Sequence, residues 1–151
     1  MRNLLLIAVL LAIAAGVFLV KRVDNHEAFR EDLRQITING MKLSVIVADS
    51  ESERQRGLSN REDLGGADGM LFVFDTKNVQ PPFWMKDMEF AIDILWIDDG
   101  KVVQMDENAQ PQKEGEPLRF YVPKQPVDYV LEVPAGFIDE NNITVGTPLT
   151  L

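Results

Sequence analysis

The chain has 151 residues, with 15 Lys and Arg against 24 Asp and Glu, a formal net charge of −9 at pH 7, and no cysteine. The absence of cysteine excludes disulfides, thiolate metal ligands and a cysteine nucleophile. The acidic balance opposes binding to nucleic acid and to anionic lipid headgroups. The length favours a single domain with a hydrophobic core of its own.

The N-terminus predicts a membrane segment. Residues 4–20 are uninterrupted apolar residues, with Arg2 before them and Lys21-Arg22 after them. As a helix this run spans about 25 Å at about 1.5 Å per residue, close to the ~30 Å hydrocarbon core. We therefore expect residues 1–22 to form an uncleaved signal anchor, a single-pass transmembrane helix. The alternative is a cleaved signal sequence.

The segment after the anchor, residues 23–34, is predicted to be a juxtamembrane stalk. It is rich in charged residues, and Phe29, Leu33 and Ile36 follow each other at helical spacing. His26, the only histidine, lies in this polar stretch and receives no functional role. The domain itself is predicted at residues 35–151 and is expected to be extracytoplasmic. The nearly balanced basic flanks leave the orientation open.

Two hairpins are predicted within the domain. Alternating apolar and polar residues flank Asn39-Gly40, and a second pair of such runs flanks Asp99-Gly100. Both dipeptides accept the positive φ that tight hairpin turns require. Other β-like runs predict strands at residues 35–38, 41–48, 70–74, 83–86, 91–97, 101–106, 118–122, 128–133 and 147–151, with a polar, mobile loop at residues 107–117.

Two helix starts are also predicted. Ser50 precedes Glu53 by three residues, and Ser59 precedes Glu62 by the same spacing, which is the pattern of a capping box. Short strands with turns between them, decorated by such helical turns, indicate a mainly β fold. We expect an antiparallel sandwich or barrel-like domain with short helices.

The sequence contains few of the patterns that carry catalysis. It has no glycine-rich phosphate loop, no Gly-x-Ser-x-Gly elbow and no His-Glu-x-x-His motif. No metal site and no cofactor are predicted.

A candidate polar cluster is predicted around residues 83–98. Asp93 alternates with Leu95 and Ile97, so its carboxylate shares an otherwise apolar strand face and needs a partner. Lys86, which shares a face with Trp84, is the expected ion-pair partner. Arg61 is the alternative.

Glu132, which shares a face with Val130, poses the same problem. It completes the set of candidate binding or structural residues: Arg61, Trp84, Lys86, Asp93 and Glu132. Whether the pair of Lys86 with Asp93 is scaffold or site stays open at this stage.

Several ordered motifs resemble one known family. They are residues 53–58 (ERQRGL), Arg61, Leu64, residues 69–74 (GMLFVF), residues 83–86 (FWMK), Asp93-Ile94, residues 129–132 (YVLE) and Gly136. The combination looks like the domain of unknown function 192 over about residues 35–151. The resemblance implies a compact β-sandwich-like domain, commonly exported or membrane-anchored, with no agreed activity.

This chain departs from the family's usual pattern at three positions. It has Asp87 and Met88 where Asn and Thr are usual, and Ala91 where Pro is usual. A polar site in this region would be altered by these changes.

Three functional interpretations follow. The first is a noncatalytic binding or interaction module of the cell envelope, tethered to the membrane and contacting a small ligand or an envelope protein. The second is a hydrolase in which Asp93 or Glu132 acts as general acid or base and Lys86 or Arg61 stabilises charge. The third is a structural role in envelope assembly.

Overall fold

A computed structural model describes residues 33–113 and 115–151 of the chain. The predicted anchor at residues 1–22 and the stalk up to residue 32 lie outside the described residues. Within the described part, no helix has both the length and the apolar character needed to cross a membrane.

The described residues form nine strands and two short helices. In chain order these are β1 (Leu33–Ile38), β2 (Met41–Ala48), α1 (Glu51–Arg56), β3 (Gly69–Val73), β4 (Phe83–Trp84), β5 (Ile92–Asp98), β6 (Lys101–Ala109), β7 (Phe120–Tyr121), β8 (Tyr129–Pro134), α2 (Phe137–Glu140) and β9 (Leu149–Thr150). The predicted mainly β fold with short helices is confirmed. Leu33 and Arg34, predicted as the end of the stalk, belong to β1.

Seven of the strands form one sheet in the order β6-β5-β8-β3-β2-β1-β9, and β4 pairs with β7 separately. The sheet curls into a half-barrel, and residues at the start of β9 form hydrogen bonds with residues at the start of β6. The Val102 amide donates to the Thr147 carbonyl at 3.0 Å, and the Leu149 amide donates to the Gly100 carbonyl at 2.8 Å. The curl joins the two ends of the sheet near the β5–β6 turn.

The prediction of a wholly antiparallel sheet is wrong at one place. β2 and β3 pair in parallel, with Val45 opposite Gly69 and Ala48 opposite Phe72. A parallel pair needs a crossover of about a dozen residues or more, and residues 49–68, which include α1, provide it. The sequence did not predict this parallel pair, because the crossover contains only one short helix and not the long helix that usually indicates such a connection.

Both predicted hairpins are confirmed. β1 and β2 pair in antiparallel fashion around Asn39 and Gly40, whose φ angles are 50° and 79°. β5 and β6 pair around Asp99 and Gly100, with φ angles of 47° and 67°. β6 extends to Ala109, so the loop predicted to begin at residue 107 starts later.

One of the two predicted helix starts is confirmed. Ser50 and Glu53 form both halves of a capping box at the start of α1. The helix predicted from Ser59 and Glu62 is wrong, since the segment forms turns. Asn60 takes a left-handed φ of 58°, and the Ser59 hydroxyl donates to the Lys86 carbonyl at 3.1 Å instead of capping a helix.

Strand alternation divides the core into two clusters, one on each face of the sheet. Leu71, Leu95 and Leu131 lie on the face covered by Ile138 of α2 and the segment before β9. The opposite face carries Met70, Phe72, Ile94, Trp96 and Val130. Both faces are therefore covered, and a polar side chain on either face is removed from water.

Asp93 on β5 connects three parts of the first face. Its carboxylate, 1% exposed, accepts hydrogen bonds from the amides of Asn108 at 2.8 Å, Gly136 at 3.1 Å and Ile138 at 3.0 Å. The three donors belong to β6 and to the start of α2. Asp93 thus attaches this helix to the sheet.

We predict that Asp93→Ala lowers the free energy of unfolding by about 3 kcal/mol or more. Hydrogen bonds to a charged group each contribute roughly 1.5–3 kcal/mol, and the substitution leaves the three amides without their acceptor. Asp93→Asn should cost less, since it keeps one acceptor oxygen. Urea denaturation monitored by tryptophan fluorescence measures the difference. Asp98→Ala, at the half-buried end of the same strand, is the control, and an equal effect of Asp93→Ala and Asp98→Ala would contradict the assigned role.

Candidate functional site

A cavity of about 300 Å³ lies against the second face of the sheet. Its walls come from α1 and the turn after it, the end of β3, the two prolines before β4, β4 itself and the following turn. Most of the lining is apolar: Leu58, Phe72, Phe74, Pro81, Pro82, Phe83, Trp84 and Met88. The size and character are those of a pocket for a small molecule.

Aromatic rings hold β4 in place at the cavity. Phe83 packs edge-to-face on Phe72 with ring centroids 4.7 Å apart, and on Trp96 at 5.5 Å. Trp84 packs edge-to-face on Phe120 at 6.2 Å. Edge-to-face packing is the favourable arrangement for such rings. Phe83 and Trp84 are only half-buried, so both keep surface at the cavity.

The helical wall of the cavity is attached to β3 by Arg54. Its guanidinium donates to the carbonyls of Asp49 and Val73 and forms an ion pair with Asp75 at 3.0 Å. It also lies 5.9 Å from the ring centroid of Phe74, a cation–π distance. Arg54 therefore shapes the wall of the cavity.

The opposite wall is joined to the turn after α1 by backbone contacts. The Asn60 amide donates to the Asp87 carbonyl at 2.7 Å, beside the bond from Ser59 to Lys86. Asp87 adopts a left-handed φ of 58°, a conformation that Asn and Asp tolerate better than most residues. This turn directs the buried Met88 into the cavity wall.

Glu132 is the buried acidic group of the cavity. It lies in β8 opposite Met70 of β3 and Ile94 of β5, and its exposed fraction is 5%. Among the described residues, its Oε2 atom has no hydrogen-bond partner. Burial away from water disfavours the charged form and raises the pKa of Glu132 to about 8. The carboxyl group is therefore mostly protonated at neutral pH.

The cavity brings together two of the five residues predicted as a polar cluster, Trp84 and Glu132. Arg61 lies in the turn segment between α1 and β3, where its amide donates to the Leu58 carbonyl at 3.3 Å. Lys86 and Asp93 lie elsewhere.

The predicted ion pair between Lys86 and Asp93 is wrong. The Lys86 side chain is 63% exposed, and its ammonium nitrogen lies 4.0 Å from the Asp87 carboxylate. Asp93 faces the other side of the sheet, where backbone amides are its partners. The period-2 argument identified the buried carboxylate correctly but could not tell that amides from β6 and α2 would satisfy it.

Sequence reasoning missed the residues that make the cavity apolar. Pro81 and Pro82 belong to no predicted element or motif, and Leu58 and Phe72 were singled out only as parts of the family motifs. Met88 replaces the Thr that is usual in the family the sequence resembles, and that departure was the one signal in the sequence that this wall is apolar.

The geometry limits the chemistry that the site supports. Glu132 and Asp93 occupy opposite faces of the sheet, since Ile94 pairs with Glu132 and Asp93 pairs with Val133. They cannot act together on one substrate. Within residues 33–113 and 115–151, no three His, Asp or Glu side chains converge as metal ligands.

Residues 34–151 match the model of the DUF192 family, described as an uncharacterised ACR. A UPF0127 protein of Thermococcus sibiricus is 31% identical over 104 residues, which are 68% of this chain and 62% of that protein. The chain thus spans less than two thirds of that relative's length.

Two solved structures share the fold. A protein of unknown function from Novosphingobium aromaticivorans has a TM-score of 0.73 at 24% identity, covering 83% of this chain and 90% of that one. A putative transcription regulator from Sinorhizobium meliloti has a TM-score of 0.67 at 33% identity, covering 78% and 90%.

We predict that Glu132 makes stability fall as the pH rises. Its pKa in the folded state, about 8, lies above its unfolded value near 4.5, so the folded state binds more protons between these values. The contribution is fully present below about pH 4.5 and is lost as the pH rises to about 8, at roughly 1.4 kcal/mol per pH unit.

Other carboxylates titrate over part of this range, so the measured quantity is the difference between wild type and Glu132→Gln. Denaturant unfolding at several pH values should show the variant gaining stability relative to wild type from pH 5 to 8. Glu89→Gln, at an exposed position, is the control. Parallel curves for wild type and Glu132→Gln would show that Glu132 titrates normally.

Proposed function

We propose that this chain, which belongs to the DUF192 family, is a binding module whose ligand enters the cavity beside Glu132. The observation that carries the proposal is that a residue lining an apolar cavity, Glu132, has a buried carboxyl group whose Oε2 has no hydrogen-bond partner among the described residues. A bound molecule with one polar group would complete its hydrogen bonding, and the apolar remainder would be buried by the aromatic walls.

The energetics support a ligand over a purely structural role for Glu132. Burying a polar group without a hydrogen bond costs roughly 1–3 kcal/mol in proteins. A scaffold position on a strand that faces Met70 and Ile94 is best filled by an apolar residue. Retaining Glu132 there is expected where its carboxyl group contacts something that enters the cavity.

The hydrolase interpretation receives less support. Carboxylate-dependent hydrolysis needs two acidic groups beside one substrate. The other carboxylate at the cavity is Glu51 of α1, which is exposed and accepts a hydrogen bond from the Gln55 amide at 3.2 Å. A solvated carboxylate at the rim and a neutral one against the sheet form no acid–base pair aimed at one point.

We do not extend to this chain the regulatory role named for the Sinorhizobium meliloti protein. A net charge of −9 repels the phosphate backbone. We propose that the module contacts a small ligand, with no nucleic acid as partner.

We also propose that residues 1–22 tether the module to a membrane, with the domain outside the cytoplasm. The support is the apolar run at residues 4–20 between basic flanks. A tether would confine the module to the cell envelope without affecting the chemistry of its cavity.

We predict that full-length protein stays with membranes after carbonate extraction, because 17 consecutive apolar residues match a bilayer core. A chain that starts at Asp24 should be recovered in the soluble fraction and serves as the matched control. Recovery of a soluble mature protein that lacks about the first 20 residues would show a cleaved signal sequence.

We predict that Trp84→Ala weakens binding of any cavity ligand about tenfold, because it removes an aromatic wall worth on the order of 1.4 kcal/mol of contact. Hits from a thermal-shift screen of uncharged aromatic fragments supply the ligands, since binding to the folded state raises the melting temperature. Val122→Ala removes an exposed apolar side chain of the β7–β8 segment outside the cavity and should leave affinity unchanged. Equal affinities for wild type and Trp84→Ala would place the binding site elsewhere.

A further inference from the structure

The proposed binding function leaves the ligand's chemical class open, and the groups around the cavity narrow it. We propose that the cavity selects an uncharged, largely apolar molecule that presents a hydrogen-bond acceptor to the carboxyl group of Glu132, which acts as the donor. This inference rests on the proposed function and specifies the ligand of that same site.

The surroundings of Glu132 favour its neutral form. In the sheet its neighbours are Met70 and Ile94, both buried and apolar. The turn after β4 contributes Met88, and β4 contributes Phe83 and Trp84. The charged residues of the cavity, Glu51, Arg54 and Arg56, all come from α1.

Burial is the cause of the raised pKa of Glu132. A protonated carboxyl group carries one O–H donor. The donor needs an acceptor, and none of the described residues provides one through a hydrogen bond to Oε2.

A cationic ligand fits this cavity poorly. Arg54 and Arg56 line it, and like charges repel. Arg54 already occupies the vicinity of the Phe74 ring, so that ring face is taken by a cation. A ligand ammonium would also have to deprotonate Glu132 and form an ion pair in apolar surroundings, where desolvation opposes both charges.

An anionic ligand fits poorly for a different reason. The buried apolar residues of the lining include Leu58, Phe72 and Met88, so an anion beside Glu132 would lie among apolar side chains. The two cationic residues of the cavity are already engaged: Arg54 is turned towards two carbonyls and Asp75, and the exposed Arg56 also has an interaction partner. An anion that reached Glu132 would lose its hydration and gain a single hydrogen bond.

The test uses three probes of nearly equal size and different charge: phenylacetamide (neutral), phenethylamine (cationic) and phenylacetate (anionic). Each is titrated into full-length protein in lipid nanodiscs at pH 6 and pH 9. The indole N–H resonances report the site, because Trp84 lines the cavity and Trp96 is fully buried with its indole N–H bonded to Asp106 at 2.7 Å. Val122→Ala, which removes an exposed side chain outside the cavity, is the matched control and should leave the binding of all three probes unchanged.

We expect phenylacetamide to bind at pH 6 at least about tenfold more tightly than the charged probes, with the Trp84 resonance shifting. At pH 9 its affinity should fall about tenfold, since about one molecule in ten keeps the donor one pH unit above a pKa of about 8. Glu132→Gln, which keeps an N–H donor, should bind phenylacetamide within about threefold of wild type at both pH values. Glu132→Met, which has no donor, should bind it about tenfold more weakly.

The outcomes separate the two proposals. Preferential binding of phenethylamine, strengthening from pH 6 to 9 and lost in Glu132→Gln, would overturn the neutral-ligand inference while leaving the cavity as the binding site. Preferential binding of phenylacetate would do the same. If no probe moved the Trp84 resonance in wild type or in either Glu132 variant, the proposed binding function itself would fall, and this inference with it.

Discussion

The pairing of β8 on both of its edges is the constraint on which the site depends. β3 and β5 hydrogen-bond to it from either side, so its residues cannot rotate away from the faces that the pleat assigns to them. Val130 and Glu132 must face the side of the sheet on which the cavity lies, and Leu131 must face the opposite core. Gly69, at the start of β3, tightens this constraint, because a Cβ there would lie 2.5 Å from the Glu132 carbonyl oxygen. The close approach fixes the backbone from which the buried carboxyl group projects.

Local sequence signals predicted local structure well. Asn39-Gly40 and Asp99-Gly100 identified two hairpins because positive φ is a property of the turn residues themselves. Ser50 identified a helix start because both hydrogen bonds of its capping box join it to Glu53, only three residues away. The parallel pairing of β2 with β3 could not be predicted in this way, since it depends on where a long crossover returns the chain. Ser59 shows the limit of a motif: the hydroxyl that fits a capping box bonds the Lys86 carbonyl, a partner distant in sequence.

The sequence predicted part of the candidate site, because the alternation of residues along a strand shows which side chains share a face. Period-2 patterning showed that Asp93 and Glu132 are carboxyl groups on apolar strand faces, and both are buried. It could not show what covers each face. Asp93 accepts hydrogen bonds from three backbone amides. Almost every residue type carries such an amide, so the sequence does not identify these donors, and the predicted charged partner, Lys86, was wrong. Glu132 meets a cavity, whose walls come from segments far apart in the chain. Two residues with the same sequence signature therefore lie in different surroundings, one with three backbone donors and the other beside a cavity.

This contrast between the two carboxyl groups is the strongest physical argument that the cavity is functional. An unpartnered buried polar group and an apolar cavity each destabilise a fold, and either one alone is compatible with imperfect packing. Here both occur at the same place, on a strand whose neighbours are otherwise closely packed. A longer apolar side chain at position 132 would relieve both costs at once. Asp93 shows that this fold can satisfy a buried carboxylate fully when the role is structural. Among the described residues, Oε2 of Glu132 has no such partner, and this contrast with Asp93 supports the proposal that a bound ligand supplies one.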